Sequence, residues 1–154
     1  FEEVEGTLSR YSEALGIAYQ IRDDLEDLNT AGPGDDVSNL RPCLPMAVAH
    51  AKAKDEAKAL LASWWRRQVT EDKEMEQIKS LLGSLEADHR SRMLLETYKE
   101  EAIRSLRDLE NPNLKGLLRR VIGKIFNDTE IKGWCKEFEP KQRAQQGAAS
   151  ASTS

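Results

Sequence analysis

The sequence predicts an all-α protein, an antiparallel bundle of about five helices joined by short connections. Three observations point there: apolar residues recur at three- and four-residue steps, charged residues make up 32% of the chain, and β-branched residues are sparse. Such steps stack side chains on one helix face, whereas a half-buried strand would need strict alternation. At 154 residues the chain can bury a core of its own without disulfides or structural metals.

The first element reads as one long helix over residues 1–28, striped by Val4, Leu8, Tyr11, Leu15, Ala18, Leu25 and Leu28. The pattern is already running at Phe1, with no initiator Met, so the chain is expected to be part of a longer or processed protein. Thr30 to Pro45 is rich in Gly, Pro, Asp, Ser and Asn and reads as an ordered polar loop. A second helix is predicted from Leu44 or Pro45 to Arg67, with Met46, Ala49, Ala53, Ala57, Leu60, Leu61 and Trp64 on its stripe. Pro45 suits a first turn, where its missing N–H would have had no partner anyway.

Thr70 followed by Glu71 and Asp72 marks another start, because acidic residues favour the positive end of a helix. That helix is expected to end near Leu82 or Gly83. Ser84 is placed as the cap of the next, which carries Leu95, Tyr98, Ala102, Leu106 and Leu109 and stops at Asn111-Pro112. Asn113 is placed as the cap of a last helix bearing Leu114, Leu117, Leu118, Val121, Ile122 and Ile125. One helical domain is therefore predicted over residues 1–139. From 140 to 154, Gln, Ala, Gly, Ser and Thr dominate, too polar to order, so a disordered tail is expected.

Composition removes several function classes. The chain has 23 Lys and Arg against 27 Asp and Glu, a formal charge of −4 with the signs interspersed, which is no footprint for nucleic acid. No apolar run reaches the ~18 residues of a transmembrane segment, and no signal peptide is visible. Cys43 and Cys135 stand alone and read as small buried hydrophobes, so a soluble, reducing, cytoplasmic setting is expected. His50 and His89 have no partner at ligand spacing. Trp64 and Trp65 read as one core and one rim tryptophan, and Arg119, Arg120 and Lys124 as complements to a helix dipole. The charge run from Glu96 to Arg107 reads as a solvated face with pairs such as Glu100 with Arg104.

The stretch that carries chemistry is Gly16-Ile17-Ala18-Tyr19-Gln20-Ile21-Arg22-Asp23-Asp24-Leu25-Glu26-Asp27. On a helix Asp23 and Asp27 lie one turn apart, with Gln20 and Gly16 continuing the same face. Acidic rows are ordinarily solvated faces. This one sits on a helix with apolar flanks at Ile17, Tyr19 and Ile21, so carboxylates turned into the interior would need a cation to offset their desolvation. Magnesium takes one or two carboxylates and completes its octahedron with water and substrate phosphates.

Read as Gly-x-Ala-Tyr-Gln-Ile-x-Asp-Asp-x-x-Asp, this run resembles the second aspartate-rich motif of the polyprenyl synthetase family, the trans-isoprenyl diphosphate synthases. The following loop is similar too: Gly34, Asp36 and then Arg41-Pro42-Cys43-Leu44-Pro45 stand where members commonly have Gly-x-Asp and Lys-x-Thr-Leu-Pro. Tyr98, Ala102 and Leu106, followed by Leu114, Leu117 and Leu118, resemble the closing helices, and the similarity covers most of residues 8–126.

The resemblance implies the C-terminal part of an isoprenoid synthase helical bundle. It implies a prenyltransferase of isoprenoid biosynthesis that condenses an allylic diphosphate with isopentenyl diphosphate, using Mg²⁺. By match of position, Asp23 would be the main metal ligand, with Asp24 and Asp27 supporting or acting through water. Gln20 would lie near the diphosphates, and Arg41 would replace the usual phosphate-clamping lysine, with a bidentate fork in place of a point charge. A homodimer is implied as well. The family's first aspartate-rich motif with its Arg pair, and the basic residues for isopentenyl diphosphate, have no counterpart here, and Gly32 stands where a further lysine would be placed. The chain therefore carries half an active site, and no catalysis is expected from it alone. The rival readings are a non-catalytic partner subunit of such a synthase and a helical interaction module without a ligand. The intact aspartates argue against the first, since a purely structural subunit has no reason to keep costly carboxylates; the second predicts that neutralising the aspartates would stabilise the fold and that magnesium with diphosphate would not.

Overall fold

A computed structural model describes residues 2–29 and 36–127. Gly32, Gly34, Cys135 and the tail over 140–154 lie outside the described residues. The elements in chain order are α1 (Glu2–Asn29), α2 (Leu44–Lys52), α3 (Asp55–Trp65), α4 (Asp72–Ser84), α5 (Ala87–Ser105), a single 3₁₀ turn (Leu106–Asp108) and α6 (Pro112–Phe126). Among the described residues there is no strand, as the sequence predicts. The chain divides into two compact units, the first ending at Asp108 and the second beginning at Leu109.

In the first unit α1 packs chiefly against α5. The buried residues of the two helices are largely small: Thr7, Ala14 and Ala18 on α1, and Ala87, Ser91, Ala102 and Ser105 on α5. Small side chains let helix axes approach to the short end of the usual 8–10 Å range. Tyr11, Ile21 and Leu25 add apolar area on the same side of α1. Arg10 near the start of α1 reaches Asp108, just past the end of α5, at 3.4 Å, as an antiparallel pair requires. Both side chains of that ion pair are well exposed, so it contributes little to stability.

A second cluster gathers Met46, Ala49 and Ala53 of α2, Leu61 and Trp64 of α3, and Ile78 and Leu82 of α4. Val37 and Cys43, from the segment that follows α1, are part of this cluster. That segment is thereby tied to the core, which fixes what it can present to the end of α1. Cys43 is buried, as its isolation in the sequence suggests, and Trp64 is buried while Trp65 is 37% exposed.

Three boundaries differ from those read from periodicity. The helix expected from Leu44 to Arg67 is broken: Ala53 and Lys54 are extended, and α3 restarts at Asp55 with a left-handed φ of 52°. The alanine-rich segment carries no Gly or Pro to signal the break, and both halves keep their apolar residues in one cluster by turning there. Ser84 ends α4, its hydroxyl donating to the Leu81 carbonyl, and the turn into α5 is made by Glu86 at φ 55°.

In the second unit, Asn111 caps α6 in place of Asn113. Its side-chain oxygen accepts the N–H groups of Asn113 at 3.0 Å and Leu114 at 3.1 Å. Pro112 occupies the first turn, which moves the cap to the residue before it. Asn127 closes the helix in the left-handed region.

Candidate functional site

The last two turns of α1 present Gln20, Asp23, Asp24 and Asp27, and the chain returns past them at Asp36–Arg41 before entering α2. Asp24 is buried, at 9% exposure, and both its oxygens are engaged. Oδ2 accepts the backbone N–H of Leu44 at 2.8 Å, and Oδ1 accepts Nε2 of Gln20 at 2.9 Å. Leu44 is the first residue of α2, and the residue before it, Cys43, has no side-chain cap to offer. Asp24 therefore supplies from α1 the acceptor that the N-terminus of α2 lacks, at the positive end of that helix. Gln20 is itself exposed and spends its amide nitrogen on Asp24, so its amide oxygen remains as an acceptor.

Asp23 and Asp27 are placed differently. The Asp23 side chain is 39% exposed and accepts Nη2 of Arg22 at 3.2 Å. Arg22 also reaches Glu26 at 3.6 Å and stacks 4.5 Å from the centre of the Tyr19 ring. Asp27 is exposed. The expectation of carboxylates turned into the interior thus holds for Asp24 alone. The reason is helical phase: Asp24 falls beside the buried Ile21 and Leu25, while Asp23 and Asp27 fall on the accessible side. The desolvation argument for a bound cation therefore applies to neither Asp23 nor Asp27, and at Asp24 the charge is met by the Leu44 N–H and the Gln20 amide.

Asp36 is the residue that sequence reasoning undervalued. Its side chain is 14% exposed, it lies beside Asp27, and Nη1 of Arg41 lies 3.9 Å from its Oδ1. Burial pushes the Asp36 carboxyl above the usual range; the negative charge of Asp27 adds to the rise, and Arg41 opposes it. The turn that sets this geometry is closed by Arg41 N–H donating to the Asp36 carbonyl at 2.8 Å and Leu40 N–H to that of Val37 at 3.3 Å. It takes a left-handed Leu40, φ 53°, to make it. Trp64 holds the turn down, its indole Nε1 donating to the Val37 carbonyl at 2.9 Å. The Asp36 of the Gly34-Asp35-Asp36 run was visible in the sequence; its apposition to Asp27 is a tertiary fact. Arg22 was likewise visible but unassigned, and it neutralises part of the Asp23 charge.

The structure therefore brings Gln20, Asp24, Asp27, Asp36 and Arg41 to one end of α1, with Asp23 one turn back from Asp27. Among the described residues no group of three or more His, Cys, Asp or Glu side chains is arranged to hold a metal ion. Two accessible aspartates one turn apart still match the donor set of a magnesium ion that takes its remaining ligands from water and phosphate. Among the described residues no helix is long and apolar enough to cross a membrane.

No protein-family model and no curated protein sequence matches the chain. Solved structures do. The chain is similar to a polyprenyl synthase from Roseobacter denitrificans, at 26% identity and a TM-score of 0.72, over 82% of this chain and 43% of that one. It is similar in fold to a decaprenyl diphosphate synthase from Rhodobacter capsulatus, at 24% identity and a TM-score of 0.70, over 84% and 41%. The chain spans less than half the length of either structure. Its fold is that of the all-helical isoprenyl diphosphate synthases, in the part these residues cover.

Proposed function

We propose that this chain carries the diphosphate-holding face of a magnesium-dependent prenyltransferase, which joins an allylic diphosphate to isopentenyl diphosphate and makes a polyprenyl diphosphate. The observation that carries the reading is the pair Asp23 and Asp27, accessible on a helix whose neighbouring Asp24 is locked, in a chain similar to a polyprenyl synthase over 82% of its length. In this reading Asp23 and Asp27 hold the metal, and Asp24 fixes the rotation of α1 that presents them. Magnesium, when bound, supplies the positive charge that a departing diphosphate needs. Gln20 offers its amide oxygen beside the metal ligands. Arg41, whose side chain is 65% exposed, is free to leave a 3.9 Å contact with Asp36 for a phosphate, where its fork binds two oxygens at once. A metal held at Asp23 would compete with Arg22 for that carboxylate. The homodimer implied by the resemblance belongs to the same proposal.

The test is thermal unfolding of the chain with Mg²⁺ and inorganic pyrophosphate, each alone and together. At a hundredfold excess over Kd the pair should raise the Tm by roughly 5–10 °C. Asp23→Ala should remove the rise while leaving the unliganded Tm nearly unchanged, because Asp23 is a partly exposed residue. A rise of full size in Asp23→Ala would overturn the assignment.

A further inference from the structure

From α6 and the sequence that follows it, and independently of the reading of α1, we infer that residues 131–138 fold back as a helix along one edge of α6. That edge is narrow. Leu117, 55% exposed, is the one large apolar side chain of α6 that stands in water, with the exposed Arg120 and Lys124 beside it. Ile122 is buried, and Val121 on the inner side of Leu117 is half-buried, so the rest of the helix already has cover. Among the described residues neither Arg120 nor Lys124 makes an ion pair, and α6 itself carries no acid to offer them.

The sequence beyond Asn127 supplies what this edge lacks. Ile131, Trp134, Cys135 and Phe138 recur at three- and four-residue steps, a stripe about 100° wide at helical pitch. Glu130 and Glu137 border the stripe on its Trp134 side, while Lys132 and Lys136 fall on the back. Asn127 closes α6 in the left-handed region, and the three residues between it and Ile131 are a usual connection between antiparallel helices.

The register is testable on paper. Seven positions separate Ile131 from Phe138 and likewise Leu117 from Lys124, about 10 Å along either axis. An antiparallel pairing that sets Ile131 level with Lys124 therefore sets Phe138 level with Leu117. It also brings Glu130 within one residue of the level of Lys124, and Glu137 within two of Arg120. Counted around each helix, Arg120 and Lys124 come just before Leu117, and Glu130 and Glu137 just before the stripe. In an antiparallel pair those two edges lie on the same side of the seam, so acids meet cations. A patch this small would hold a separate molecule poorly. A segment tethered three residues away meets it at an effective concentration on the order of millimolar.

The experiment is amide hydrogen exchange on the 154-residue chain. Amides of Cys135 to Phe138 should exchange at least about tenfold more slowly than in an unstructured peptide of the same sequence. Leu117→Gln should remove most of that protection. Lys124→Glu should cut it about fivefold, and adding Glu130→Lys should restore it. Leu117 and Lys124 are exposed, so exchange within α1 should be unchanged in each variant. Unprotected amides over 135–138 in the parent chain overturn the inference, as does protection that both Leu117→Gln and Lys124→Glu leave intact. Protection that fades on dilution, together with a dimer in sedimentation, overturns it as well, since the segment would then lie on a second copy.

Discussion

The Asp24 carboxylate accepts the Leu44 N–H at 2.8 Å, so one helix is capped by a side chain from another twenty positions earlier. The bond is charge-assisted and mostly shielded from water, and its loss would leave a helix N-terminus without an acceptor. Asp24→Ala should therefore lower unfolding stability by about 2–3 kcal/mol, read from the urea midpoint. Asp24→Asn keeps an acceptor but gives up the charge and should cost about half as much. Equal stability of Asp24→Ala and the parent chain would mean that the cap does not hold in solution.

Asp36 gives the chain a pH signature. A carboxyl whose folded value is raised binds its proton more tightly in the native state than in the unfolded one. Stability then falls as pH rises from the ordinary aspartate value of 3.8 through the raised value, and is level above it. With divalent ions removed, Asp36→Asn should be more stable than the parent chain near neutral pH, and the downward slope just above 3.8 should flatten. A parent chain whose stability rises through that window with the same slope in Asp36→Asn would contradict the placement of Asp36 beside Asp27.

The sequence made the helical class legible because apolar spacing is a backbone-scale signal that local geometry obeys. Asp23 and Asp27 were legible as a pair for the same reason. What escaped it depends on distant packing. The break at Ala53 and Lys54 has no Gly or Pro to announce it, and it exists because α2 and α3 bury into one cluster. That Asp24 would turn inward while its neighbour Asp23 stays accessible follows from how α1 packs, with the start of α2 at Leu44 set against Asp24, which the spacing of aspartates alone does not determine. Asp36 shows in the sequence only as the end of a Gly-x-Asp pattern, and its setting is supplied by Asp27 across the turn.

Trp64 and Trp65 are adjacent in sequence and opposite in consequence. Trp64 fills the second core cluster and donates to the Val37 carbonyl, while the Trp65 ring sits edge-on to it at 5.1 Å with more than a third of its surface in water. Trp64→Ala should cost about 3–5 kcal/mol in urea unfolding, and Trp65→Ala under about 1.5 kcal/mol. Because Val37 lies in the main chain between Asp36 and Arg41, Trp64→Phe has a second expected effect. It should weaken the Tm rise with Mg²⁺ and pyrophosphate beyond what its stability loss alone predicts.

Asn111 offers a test confined to the second unit. Its side chain accepts two of the N–H groups that the first turn of α6 leaves without partners, and Pro112 removes a third donor outright. Asn111→Ala should therefore destabilise α6 by about 1 kcal/mol. Amide exchange of Asn113 and Leu114 should speed up about fivefold, the same energy read as an opening equilibrium. Asn111→Asp keeps the acceptor and adds a negative charge at the positive end of the helix, so it should protect those amides at least as well as the parent residue. Exchange at Ile21 and Leu25, in the first unit, should stay unchanged in both variants if the two units open separately. Equal acceleration at those α1 amides would show instead that the units unfold as one.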